Sequence, residues 1–176
     1  MLPTGDHEKV TAFIAGELFL EVRRLQLPYF FPRTYLVKSP TWESGYQPDI
    51  IVLDEEALEA EPLWQKASTI SLGNSVKLVV EIVSTNWRDD YLLKAGDYEA
   101  IGIPEYWIVD YLGLGGRRFI GNPKQPTLSI YQLVEGEYQV KQFRDQDPIE
   151  SLAFPELNLT AEQVLGGGKS QRSPSN

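Results

Sequence analysis

The sequence predicts a single α/β domain, and three patterns carry that reading. An amphipathic helix opens the chain, a strand–helix–strand unit fills its middle, and a hairpin signal follows. The chain has 176 residues, 42% hydrophobic and 23% charged, which is globular in size and composition and excludes disorder throughout. The domain is expected to span residues 1–165, with a flexible tail over 166–176.

From Asp6 to about Leu27, the residues Val10, Phe13, Ile14, Leu18, Val22 and Leu25 recur at three- and four-residue steps, which marks a helix with one apolar face. Asp6 is the expected cap and Pro28 the stop. At about 100° per residue, Glu17 and Glu21 fall inside the apolar stripe, an odd place for two carboxylates. Tyr29–Lys38 reads as extended and Ser39–Tyr46 as a loop. Pro48-Asp49-Ile50-Ile51-Val52-Leu53 reads as a short strand with proline at its start, where a missing N–H does least harm. Asp54–Glu61 holds five acids and reads as a solvated connection with a short helical turn.

Lys77–Val83 is nearly all apolar, as in a strand covered on both faces. Ser84, Thr85 and Asn86 are capping residues, and a helix is expected from about Trp87 to Ala100, ended by Gly102. Pro104–Asp110 is the next strand, so one helix separates two strands in the spacing of a βαβ unit. Leu112–Pro126 is a Gly- and Pro-rich loop carrying Arg117 and Arg118. Thr127–Val134 and Glu137–Arg144 form a hairpin around Glu135-Gly136. Thr160–Gln163 is the pattern of a capping box that opens a short final helix.

Composition limits the chemistry. With 16 Lys+Arg against 25 Asp+Glu, the formal charge is −9, which argues against coating nucleic acid by bulk charge but leaves room for a small local site. There is no cysteine, which excludes disulfides, thiol catalysis and Cys-ligated metals. The single histidine, His7, cannot build a multi-histidine metal site and argues against a Ser-His-Asp triad. No apolar run reaches about 18 residues, so no transmembrane helix is expected. Met1–Lys9 lacks the pattern of a signal peptide, and a soluble cytoplasmic protein is the expectation.

Two acids interrupt apolar strands: Asp49 and Glu81. A buried, unpaired carboxylate costs several kcal/mol, so each is either neutralised by an ion pair or binds a cation. Hard oxygen donors on neighbouring strands suit Mg²⁺, which takes one or two carboxylates plus waters and substrate phosphates. Lys94 lies inside the stripe Trp87, Tyr91, Lys94, Tyr98 and Ile101, with Asp90 and Asp97 within reach along the helix. It either snorkels to Asp90 or, beside two carboxylates, orients a water or offsets charge in a phosphorane-like transition state. Among other features, Arg117 and Arg118 are candidate phosphate contacts, and Asp110 reads as a strand terminator. His7 reads as a capping or surface residue, and Tyr98, Tyr106 and Trp107 as core. Gly166-Gly167-Gly168-Lys169-Ser170 imitates the end of a P-loop, but the first required glycine is replaced by Gln163.

The words Pro48-Asp49, then Val80-Glu81-Ile82-Val83-Ser84, then Asp90-x3-Lys94-x3-Tyr98-x3-Gly102-Ile103-Pro104-Glu105-Tyr106-Trp107-Ile108-Val109-Asp110 resemble the PD-(D/E)XK nuclease superfamily. Within it they resemble a large bacterial restriction-endonuclease family of uncertain biological role. The resemblance covers roughly Asp6 to Leu165, and its specific part is the run from Glu81 to Asp110. It implies a restriction-endonuclease-like fold, a central mixed β-sheet flanked by α-helices, here with an additional C-terminal β-hairpin. It implies a Mg²⁺-dependent endonuclease (Mn²⁺ a possible substitute) that hydrolyses DNA, with Asp49 and Glu81 as metal ligands and no organic cofactor.

The superfamily motif places a lysine two residues after the acid, where this chain has Val83, so Lys94 becomes the catalytic counterpart and the Val83 carbonyl a possible ligand. A glutamate from the first helix often joins such sites, for which Glu17 or Glu21 is the candidate. Nucleases of this fold often act as homodimers, and an edge strand such as Thr127–Val134 could be covered that way. The rival readings are a nuclease-fold binding module with little turnover, and a metal-dependent phosphohydrolase acting on small nucleotides.

Overall fold

A computed structural model of the protein describes residues 3–169. Helix α1 spans Gly5–Leu25. Its cap is Thr4 rather than Asp6: the Thr4 hydroxyl accepts the His7 backbone N–H, and Asp6 sits in the first turn, where a carboxylate complements the helix dipole. The helix ends in left-handed Gln26, two residues before Pro28.

The extended region expected at 29–38 divides into β1 (Tyr29–Phe30) and β2 (Leu36–Lys38), since Pro32 has no N–H to carry a ladder through. The strands β3 (Gly45–Tyr46), β4 (Ile50–Asp54), β5 (Thr69–Ile70), β6 (Val76–Ile82), β7 (Glu105–Asp110), β8 (Thr127–Val134) and β9 (Glu137–Phe143) follow. The main sheet has the order β1-β4-β6-β7-β8-β9, and a small sheet has the order β3-β2-β5. In the main sheet β6 and β7 are parallel and every other pair is antiparallel, so it is a mixed sheet. The β6–β7 crossover is a π-helical turn, Asp89–Lys94, running into α3 (Ala95–Ile101), which Gly102 ends at φ 84°. Two one-turn helices, α2 (Trp64–Ala67) and α4 (Arg117–Ile120), lie in loops, and α5 (Ala161–Leu165) closes the described chain with a complete Thr160/Gln163 capping box.

Successive residues of a strand point to opposite faces, and β4 and β6 sort their side chains into two cores accordingly. On one face Val10, Ile14, Leu18 and Val22 of α1 pack with Ile50, Val52, Leu78, Val80 and Ile82. On the other, Ile51, Leu53 and Val79 pack with Tyr91 and Tyr98 from the crossover. By the same alternation, Asp49 and Glu81 belong to this second face.

Three expectations are corrected here. Strand β8 is not an edge, because β7 and β9 flank it; β9 is the edge. The turn Glu135-Gly136 takes positive φ at both residues (52° and 86°), the two-residue geometry that lets β9 pair tightly alongside. The acidic connection is not wholly solvated: Glu61 is buried and accepts from the Ser71 hydroxyl (2.6 Å) and the Leu72 N–H (2.9 Å). Gly166–Lys169 continue from α5 in hydrogen-bonded turns, with Lys169 Nζ 3.6 Å from Asp6. The rest of the expected tail, residues 170–176, and with it Ser170 of the P-loop-like run, lies outside the described residues. No helix among the described residues is long and apolar enough to cross a membrane.

One buried acid is a structural tie. Glu105 in β7 is fully buried, and its oxygens accept from Trp107 Nε1 (2.7 Å), Ser151 Oγ (2.6 Å), Leu152 N–H (2.5 Å) and Ala153 N–H (3.3 Å). Burial pushes its pKa up while these four donors oppose the rise. Replacing Glu105 by Ala leaves the four donors without their acceptor, and urea denaturation is expected to register a loss of roughly 2–4 kcal/mol.

Candidate active site

The site begins with strand register. Ile50 faces Val80 and Ile51 faces Val79 across the antiparallel β4–β6 pair. The strand expected from Pro48 begins only at Ile50, and Asp49 immediately precedes it; continuing the register by one step sets Asp49 opposite Glu81 on the crossover side of the sheet. Like charges directly opposite each other repel, so the arrangement needs a compensating cation.

Each carboxylate is held by one oxygen. Asp49 Oδ2 accepts the Ile82 backbone N–H at 2.8 Å. Glu81, only 3% exposed, accepts at Oε1 from the Tyr98 hydroxyl (3.0 Å) and lies 3.1 Å from Lys94 Nζ. Lys94 also donates to Asp90 Oδ1 at 2.8 Å, and Asp90 is itself buried. The π-helical turn carries both Asp90 and Lys94, and the Tyr106 hydroxyl pins it by donating to the Asp90 carbonyl at 3.0 Å.

The electrostatics follow from burial. Desolvation pushes the Glu81 pKa up; Lys94 pulls it down, Asp49 and Asp90 push it up again, and the balance lies at about 8. Asp49 is raised by burial against the opposing Ile82 hydrogen bond and the fields of His7 and Lys94. Asp90 is raised by burial against its Lys94 partner. Burial works against the Lys94 cation, but the fields of Glu81 and Asp90 outweigh it, so the ammonium is held above its ordinary range. Lys94 is therefore a fixed cation here and not a proton acceptor.

The structure places the expected residues as follows. Asp49, Glu81 and Lys94 converge on the crossover face. Asp90 is the partner Lys94 takes; Asp97 faces away and accepts from Ser39 Oγ (2.5 Å), Tyr46 OH (2.7 Å) and Thr41 Oγ1 (3.2 Å). Glu17 and Glu21 do not reach the site. At a rise of about 1.5 Å per residue they lie roughly 15 and 21 Å along α1 from His7, which does reach it. Glu21 is bound by Arg24 (2.7 and 3.0 Å), and both glutamates line a separate cleft with Leu20, Arg24 and Glu156. Tyr98, Tyr106 and Trp107 are fully buried core, with Tyr98 also gripping Glu81. Arg117 and Arg118 are exposed on α4. Asp110 does more than end a strand: it accepts the N–H groups of Leu114 (2.8 Å) and Gly115 (2.7 Å) and folds the following loop inward. A Cβ at Gly115 would stand 2.9 Å from the Asp110 carboxylate, so only glycine fits this turn.

His7 was not legible as a site residue. It is 7% exposed, its Nε2 is 3.2 Å from the Ile82 carbonyl, and the same nitrogen is 3.5 Å from Asp49 Oδ2. Its Nδ1 is buried without a hydrogen bond; Glu8 approaches to 3.4 Å without hydrogen-bond geometry. Position 7 lies three and seven residues before Val10 and Ile14, so the helical stripe itself carried the signal that this imidazole faces inward.

Among the described residues, no three His, Asp or Glu side chains are arranged to hold a metal by themselves. Two carboxylates are. Asp49 Oδ1 and Glu81 Oε2 take no protein donor among the described residues, and two hard oxygens completed by waters and substrate phosphate are a donor set Mg²⁺ accepts. The residues present therefore fit the ion.

A central mixed sheet flanked by helices is a restriction-endonuclease-like nuclease fold. The chain belongs to the Uma2 family, described as "putative restriction endonuclease", whose family model matches residues 1–162. Among solved structures, it is similar to a "putative nuclease belonging to DUF820" from Anabaena variabilis ATCC 29413. The TM-score is 0.68 at 15% identity, over 95% of this chain and 84% of that one. No curated protein matches the chain.

A pH signature follows for the metal-free protein. With the folded Glu81 pKa raised from 4.5 to about 8, the native state keeps a proton that the unfolded chain releases, so stability falls as pH rises through that window. Asp49 and Asp90, also raised, act with the same sign. Urea midpoints measured from pH 5 to pH 8 are expected to decline, and Glu81→Gln to flatten the decline.

Proposed function

We propose that the protein is a Mg²⁺-dependent endonuclease that hydrolyses DNA phosphodiester bonds, with Asp49 and Glu81 as the metal ligands and Lys94 as the charged donor. The observation that carries this reading is the Asp49–Glu81 pair, each acid pinned at one oxygen and without a protein donor at the other among the described residues, beside the half-buried Lys94. The family the chain belongs to supports nuclease chemistry.

A bound Mg²⁺ would supply Lewis-acid polarisation of the scissile phosphate. The chain's own residues do the rest. The Ile82 N–H and the Tyr98 hydroxyl fix the two carboxylates so that their free oxygens meet the ion without rearrangement. Asp90 holds the Lys94 ammonium at 2.8 Å and Glu81 holds it at 3.1 Å, which uses two of its three N–H groups. The third is available to a water attacking phosphorus or to a non-bridging oxygen that gains charge. Because Lys94 stays protonated, its part is to orient and to offset charge, not to remove a proton from the water. Mn²⁺ shares the oxygen preference and is expected to substitute.

The direct test is nicking of supercoiled plasmid with Mg²⁺. Wild-type protein is expected to cleave, and Asp49→Ala and Lys94→Ala each to lose about 100-fold or more, the usual scale for removing one transition-state donor. Unchanged cleavage in both variants would overturn the assignment. Calorimetric titration with Mg²⁺ separates this reading from a binding module: heat of binding that grows as pH rises from 5 to 8 and vanishes in Glu81→Ala belongs to the nuclease.

A further inference from the structure

We propose that a cleft beside Asp49 receives one unpaired nucleotide, so that the preferred substrate is a single strand, an overhang or an extruded base rather than a blunt duplex. This rests on the nuclease reading and deepens it by naming the substrate's local form. The cleft holds about 540 Å³, within the roughly 300–1,000 Å³ range of small-ligand sites. Its lining includes His7 and Asp49, Ser84 and Asn86 from the loop after β6, and Tyr111 and Leu114 from the loop after β7. It therefore opens directly onto a carboxylate of the reaction site. The half-buried Tyr111 offers a ring for stacking, and Ser84 and Asn86, both exposed, offer hydroxyl and amide groups to a base edge. No Lys or Arg lines the cleft, so its interior suits an uncharged base and not a phosphate.

The phosphates have a place of their own. The two cleft-lining loops run on into Arg88 and into Arg117-Arg118, all three exposed. The loops touch there: a Cβ at Gly116 would stand 2.8 Å from the Trp87 ring, and Trp87 packs on Phe119. Arg88 lies over Trp87, and Arg118 over Phe119, at 4.5 and 5.3 Å from the ring centroids. None of the three makes an ion pair among the described residues. In a chain of formal charge −9, three unpaired arginines at one rim form a local anion surface. It is too small to grip a duplex along its length and large enough for the phosphates flanking one seated base.

Fluorescence anisotropy tests this with a labelled DNA single strand and the same sequence as a blunt duplex. Both are titrated with full-length protein in Ca²⁺, which shares the oxygen-donor preference of Mg²⁺. The strand is expected to bind at least ten times more tightly than the duplex. Leu114→Trp, which fills the cleft, and Arg117→Glu, at an exposed site that does not threaten folding, are each expected to weaken strand binding about tenfold. Equal or tighter duplex binding, binding to neither, or full strand affinity in both variants overturns the inference. Plasmid and oligonucleotide cleavage judges the nuclease reading separately. Strand binding without cleavage by any metal retains the cleft and overturns the nuclease; cleavage with no preference for the strand retains the nuclease and overturns the cleft.

Discussion

The repulsion between Asp49 and Glu81 is the constraint around which this molecule is organised. Two carboxylates opposed across neighbouring strands, one of them almost wholly buried, are unstable unless something answers both the charge and the lost hydration. Lys94 answers most of it, but it brings a second acid, Asp90, so the cluster still carries more negative than positive charge. The raised pKa of Glu81 comes first from burial, and the fields of Asp49 and Asp90 add to it against Lys94. The Ile82 N–H and the Tyr98 hydroxyl each hold one of the two acids at a single oxygen.

The rest of the fold serves that arrangement. The second core supplies dry walls: Tyr98, Tyr106 and Tyr91 pack edge to face or near one another between the crossover and the sheet, and two of their hydroxyls reach the cluster. On the opposite face α1 delivers His7 beneath Asp49 at the point where β6 ends. Asp97 ties α3 to the 39–46 loop, and Asp110 folds the loop after β7 against Tyr91 of the crossover. Buried acids thus divide into two kinds. Glu105, Asp97 and Asp110 spend their oxygens on several donors each and are structural, whereas Asp49, Glu81 and Asp90 each have one oxygen with no protein donor among the described residues.

Legibility in the sequence followed the same physics. Strands β4, β6 and β7 were plain because a strand covered on both faces is an unbroken apolar run, and an acid in or beside such a run stands out; that is how Asp49, before β4, and Glu81, in β6, were found. Lys94 stood out because a charge in an apolar helical stripe needs a partner. The extended character of 29–38 was readable but not its division into β1 and β2, and β3 and β5 were missed, since two or three residues become a strand only through the neighbour they pair with. His7 was hidden by its charged neighbours Asp6 and Glu8, although its stripe position was readable. The choice of Glu17 or Glu21 failed for a different reason: periodicity fixes the face of a helix but not which end meets the site. Asp97 misled because its partners, Ser39, Thr41 and Tyr46, lie more than fifty residues away in sequence, beyond any local spacing rule.

The His7–Ile82 contact joins residues 75 apart, and Asp49–Ile82 joins residues 33 apart. Loops of that length close late, after the entropy of the intervening chain has been surrendered. The acid pair therefore does not exist in a partly folded chain or in one still emerging from the ribosome. The acid cluster is complete only with the whole tertiary structure, and any opening that frees β6 from α1 and β4 takes it apart.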